Sequence, residues 1–90
     1  VDDQITYSAR GIRRALESWY SLRAAAAESP EALAVMVDIE RAMLHLPLAL
    51  RQRLWHLLVM DGQHRLAPVY VHDIVRGPIR RMVRFLSGRV

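Results

Sequence analysis

Residues 46–62 read LPLALRQRLWHLLVMDG, and residues 77–87 read GPIRRMVRFLS. In the first stretch Leu50, Leu54, Leu57 and Leu58 share one face at helical spacing, while Arg51 and Arg53 fall elsewhere. The pattern predicts a helix from about Leu48 to Met60, preceded by Pro47 and closed by Asp61-Gly62, where a glycine takes up the left-handed end position. In the second stretch Gly77-Pro78 reads as a break followed by a helix start. Ile79, Val83 and Leu86 then repeat at four and three, Arg80, Arg81 and Arg84 occupy the opposite side, and Ser87-Gly88 ends the helix. Between the two, Gln63–Ala67 reads as a loop and Pro68 fits only a helix start. Val69-Tyr70-Val71 has strand-like local preference. A lone strand has no partner in a chain whose other segments are helical, so Pro68–Val75 is expected as a short helix.

Working back toward the N-terminus, Ile5, Ala9, Ile12, Leu16, Trp19 and Ala26 fall at steps of four, three, four, three and seven. This is one face of a helix, with Arg10, Arg13, Arg14 and Glu17 off it. The helix starts at Asp2/Asp3 or after Ser8, because Gly11 is unfavourable in a helix interior. Its face is expected to serve the core, with a homodimer seam on this N-terminal helix as the alternative. Ser29-Pro30-Glu31 then combines an N-cap, a proline at the first helical position and an acid in the first turn. A second helix is expected from there to about Leu44, with Leu33, Met36, Val37, Ile39 and Met43 spread over a wide arc. The fold class that follows is all-α: one domain over 1–90, a small bundle of about five helices. Its halves are an N-terminal helical pair (1–45) and a helix-turn-helix module (46–90).

Ninety residues hold one small core and no deep catalytic cleft. An apolar fraction of 52% fits a packed globule. The absence of cysteine excludes disulfides, thiolate zinc sites and thiol nucleophiles together. All thirteen basic side chains are arginine, which fits either a codon habit or selection for a planar fork that grips phosphate and base edges. Their placement is uneven. The first 62 residues carry seven Arg against eight acids, whereas 63–90 carry Arg65, Arg76, Arg80, Arg81, Arg84 and Arg89 against Asp73 alone. A one-sided basic end is the usual footprint of a polyanion partner.

The stretch Leu46-Pro47, then Arg51 and Arg53, then residues 54–62 (LWHLLVMDG), resembles the opening of region 4 of bacterial sigma factors and of related phage transcription regulators. Gly62 and Gly77 keep the spacing at which that family opens its recognition helix, and Ile79 and Val83 match its apolar positions. The Ser or Thr that caps the family's short helix is not found near His64, and Asp73 stands where the turn carries Gly. The resemblance implies a DNA-binding transcription regulator whose last helix docks in a major groove of double-stranded DNA; a cytoplasmic location is expected separately, because no stretch reads as a signal peptide or a membrane span. Arg80, Arg81 and Arg84 would face DNA, with Arg65 and Arg76 on flanking backbone. RNA polymerase is the further partner it implies. The competing expectation is a helical module that binds polymerase or another phage or host protein without reading DNA.

Other classes find little support. No phosphate loop, nucleophile constellation or acid pair suggests an enzyme, and no cofactor is implied. His56, His64 and His72 are spaced by eight across an interrupting loop, so no metal site is expected. The longest apolar run, Ala32–Val37, is far short of a membrane span, and no membrane partner is expected.

Overall fold

The computed structural model describes residues 7–60 and 68–88, and it is all-α. Five helices follow one another: α1 (Ala9–Glu17), α2 (Trp19–Ala26), α3 (Pro30–His45), α4 (Leu48–Trp55) and α5 (Pro68–Leu86). A π-helical turn, His56–Met60, prolongs α4. The expected closure at Asp61-Gly62 and the loop Gln63–Ala67 lie outside the described residues.

The helix starts obey local chemistry. Ser8 caps α1 by accepting a hydrogen bond from the Gly11 amide at 3.0 Å, which selects the later of the two expected starts. A side chain at position 11 would crowd that cap, since a Cβ there lies 3.1 Å from Ser8 Oγ. Ser29 accepts from the Ala32 amide at 3.2 Å, with Pro30 in the first turn of α3, as the sequence predicts.

Two boundaries differ from expectation. The first helix does not run unbroken to its alanines. Ser18 Oγ donates to the Arg14 carbonyl at 2.7 Å, the Ser18 backbone leaves the helical region (φ −113°, ψ 33°), and the chain bends there into α2. The second difference is larger. Gly77-Pro78 is not a break: α5 runs straight through it for 19 residues, so there is no separate short helix ending at Val75 and no turn before Ile79. Proline at 78 deletes the bond its amide would give the Ile74 carbonyl and crowds that oxygen, which together cost about 3 kcal/mol. The helix persists because Val71 and Val75 before the proline and Ile79 and Met82 after it are buried on one line. Each such side chain is worth about 1.5–3 kcal/mol on burial, so the four together outweigh the local defect.

The core lies where α1, α3, α4 and α5 meet. Ile12 and Leu16 of α1, Ile39 of α3, Leu54 of α4, Leu58 of the π-helical turn and Val75 and Met82 of α5 are its fully buried side chains. No polar or charged side chain is buried among the described residues. Of the apolar face expected on the N-terminal helix, Ile12, Leu16 and Trp19 are buried inside the molecule, while Ala9 is exposed. Trp19 and Trp55 meet edge to face at 5.4 Å, and His45 stacks on Phe85 at 4.5 Å, joining the C-terminal ends of α3 and α5. The widened π turn admits both Leu58 and Val59 to the core. Gly88, at φ +74°, closes α5 in the left-handed conformation that glycine tolerates.

Ahead of α1, Tyr7 donates its hydroxyl to Asp38 at 2.6 Å, anchoring the incoming chain to α3. Burial, then the hydrogen bond to Asp38 and its negative charge, push the Tyr7 phenol well above its ordinary 10.0.

The continuous α5 makes Gly77 a helix-interior glycine facing open space. The proline after it is the costlier defect: Pro78→Ala, which restores an amide to the Ile74 carbonyl, is expected to stabilise the protein by about 1–3 kcal/mol, read as a rise in Tm. A turn at this position would make the same substitution neutral or harmful. Tyr7 supplies a pH test. Its raised pKa means that the unfolded chain loses the phenolic proton first, so the stability it contributes is intact below about pH 10 and declines above. The Tm gap between wild type and Tyr7→Phe should be constant from pH 7 to 9 and narrow beyond pH 10. A gap that widens with pH would contradict the Tyr7–Asp38 contact.

Candidate nucleic-acid interface

An unbroken α5 sets its polar side in a single register. Buried positions 71, 75, 79 and 82 fix one face, and His72, Arg76, Arg80 and Arg84 are exposed at four-residue intervals beside it. Each step advances about 6 Å and turns about 40°, so they form a slowly winding row that runs from the edge of the buried face at His72 to the opposite side at Arg84, with Arg81 beside Arg84. Among the described residues no carboxylate lies within 4.0 Å of Arg76, Arg80, Arg81 or Arg84. Asp73 is exposed on the same helix and makes no ion pair with them.

Helix α1 packs alongside α5 and adds to this surface. Arg10 and Arg13 of α1 face His72, Arg76 and Arg80 across a cleft of about 580 Å³ whose apolar wall includes Val75 and Ile79. Arg13 is held in place from two directions. Its Nε donates to Glu17 at 3.3 Å, one turn along α1, and its Nη1 lies 3.5 Å from His72 Nδ1 on α5. The Arg13–Glu17 pair is exposed and worth little in stability, but it fixes the direction of a guanidinium at the edge of the cleft.

Of the five arginines that the sequence nominates, the structure brings Arg76 and Arg80 into the cleft with α1. It leaves Arg81 and Arg84 on the exposed side of α5 toward its C-terminus. Arg65 lies outside the described residues. Arg10 and Arg13 are the contributors that sequence reasoning missed. They sit in a segment of balanced charge, and nothing in their spacing announces that α1 will lie against α5. The bordering positions of Arg10 and Arg13 around the buried Ile12 were the one available signal.

A second surface feature lies away from the arginine row. Trp19, Met43, Leu44, Leu48, Trp55 and Met60 line an apolar groove of about 670 Å³ beside Arg51, with Leu44, Leu48 and Met60 exposed. Arg51 donates through Nη2 to the Leu46 carbonyl at 3.3 Å, bracing the corner between α3 and α4. Among the described residues no three His, Cys, Asp or Glu side chains converge as a metal site would require, and no helix is long and apolar enough to cross a membrane.

No family model, curated protein or solved structure matches the chain.

Proposed function

We propose that the protein binds double-stranded DNA through the outer side of α5 and acts as a transcription regulator. The observation that carries this reading is the row Arg76, Arg80, Arg84, unpaired with acids among the described residues on a helix whose other side is core, and flanked by Arg10 and Arg13 of α1. An isolated helix fits the major groove, where arginine reaches guanine O6 and N7 or clamps phosphates. On this reading α4 and α5, rather than two pieces of α5, are the pair corresponding to the sigma region 4-like module, and the reading helix begins at Pro68. Arg81 and Arg84 then approach DNA near the C-terminal end of α5, and Arg10, Arg13, Arg76 and Arg80 hold the phosphate backbone alongside. The scale of the effect follows from counterion release, in which each lost phosphate contact lowers the salt slope by about 0.9.

One observation favours a second reading, an interaction module for RNA polymerase or another phage or host protein that does not read DNA. It is the apolar groove with Leu44, Leu48 and Met60 exposed at its rim.

Titration of fluorescent duplex at several salt concentrations separates the two. Arg80→Ala with Arg84→Ala should weaken binding and reduce the salt slope by about one to two units, and adding Arg10→Ala with Arg13→Ala should reduce it further. Surface positions of this kind leave stability within about 0.5 kcal/mol, so the melting temperature serves as the control. A titration unchanged by these substitutions, beside polymerase capture abolished by Leu48→Glu, establishes the second reading instead.

A further inference from the structure

The outward side of α3 is apolar where a helix in a small bundle ordinarily carries polar residues. Leu33 is 45% exposed, Val37 40% and Leu44 66%, and they follow one another with Glu40 at steps of four, three and four. Inward positions of the same helix, Ile39, Ala42 and Met43, are already buried in the core, so this second stripe is not needed to hold the monomer together. At its C-terminal end the stripe runs through Leu44 into the groove lined by Leu48, Trp55 and Met60.

The charges beside the stripe say what covers it. With about 100° per residue around the helix axis and Val37 as origin, Leu44 and Leu33 lie about 20° and 40° to one side, and Glu40 about 60° to that side. Arg41 lies about 40° to the other. Both charged residues are exposed, and neither makes an ion pair among the described residues. An acid on one flank and a cation on the other, one residue apart in height, form a self-complementary edge. When two parallel copies of α3 meet about a two-fold axis along the stripe, the left flank of each faces the right flank of the other. Glu40 then stands beside the partner's Arg41, and Arg41 beside the partner's Glu40. Antiparallel copies would set acid against acid and cation against cation.

We propose that the protein forms a two-fold homodimer through parallel α3 helices, with Leu33, Val37 and Leu44 as the seam and two Glu40–Arg41 pairs across it. The seam from Leu33 to Leu44 is about 17 Å long, about three turns, so association is concentration-dependent rather than obligate. The proposal stands independently of DNA binding. Together with that reading it gives each particle two arginine rows, the arrangement that a site with two half-sites requires.

Sedimentation equilibrium of the full chain over a range of concentrations tests it. The wild type should pass from the 10.4 kDa monomer to twice that mass as concentration rises. Leu44→Glu should stay monomeric throughout, with circular dichroism showing an intact helical fold. Glu40→Arg, which sets arginine beside arginine on both edges, should weaken dimerisation about tenfold. Combining it with Arg41→Glu restores opposite charges and should recover most of the loss. A wild type monomeric at every concentration overturns the proposal, as does a dimer indifferent to Leu44→Glu. Failure of the double exchange to recover association overturns the parallel arrangement.

Discussion

The line of Val71, Val75, Ile79 and Met82 buried against the other helices is the constraint on which the rest of this structure depends. A proline in mid-helix ordinarily ends or bends the element, and a preceding glycine makes that easier. Here the four apolar side chains keep one spacing on both sides of the defect. Breaking at Gly77 would rotate Ile79 and Met82 relative to Val75, and two of the four would leave the core. Losing two such side chains costs about 3–6 kcal/mol, which equals or exceeds the roughly 3 kcal/mol of the proline, so continuity wins. The register of the polar side is a consequence: once the buried line is fixed, Arg76, Arg80 and Arg84 have nowhere to lie except in a row.

The other contacts hold helices at angles that serve this packing. With no polar or charged residue fully buried among the described residues, the interior supplies cohesion without direction, and orientation comes from the periphery. Tyr7 ties the chain before α1 to Asp38 of α3, Arg51 braces the Leu46 carbonyl between α3 and α4, and His45 stacks on Phe85 where α3 and α5 end together. Each joins α3 or its end to another element. The contact of Trp19, just past the break at Ser18, with Trp55 joins α2 to α4 instead. Helix α3 is therefore the hub, and it is also the helix with an apolar side left over.

The all-α class and the starts of α3 and α4 were legible because local chemistry decides them. Ser29-Pro30-Glu31 caps, starts and charges a helix whatever surrounds it, and Pro47 separates two apolar patterns that keep their own periods. Gly77-Pro78 misled for the same reason. Its local reading is a break, and the opposing term is the shared burial of Val71, Val75, Ile79 and Met82 against the other helices, which tertiary packing and not local sequence supplies. Ser18 is the converse: its hydroxyl bends a helix whose apolar spacing gives no sign of interruption. Of the arginine surface, the α5 members could be read from the unbalanced charge of the last third. Arg10 and Arg13 could not, because their membership depends on α1 lying beside α5, a fact of tertiary packing.

The exclusively arginine basic set takes on a different meaning once these positions are known. Charge balance along the chain suggested a neutral body and a basic tail, yet balance in sequence is not pairing in space. Glu17 is the one acid that meets an arginine within ion-pair distance among the described residues, and it leaves the Arg13 guanidinium pointing toward α5. Arg51 is spent on a backbone carbonyl, where several donors in one plane let a half-buried side chain brace a corner while its Nε stays buried without a partner. Among the described residues Arg76, Arg80, Arg81 and Arg84 have neither acid nor carbonyl to hold them. They are carried on the helix most firmly fixed by the core, so their heads are free while their backbone is not. That combination suits a surface that must present several cations at set intervals, because the cost of ordering the backbone has been met by folding before any ligand arrives.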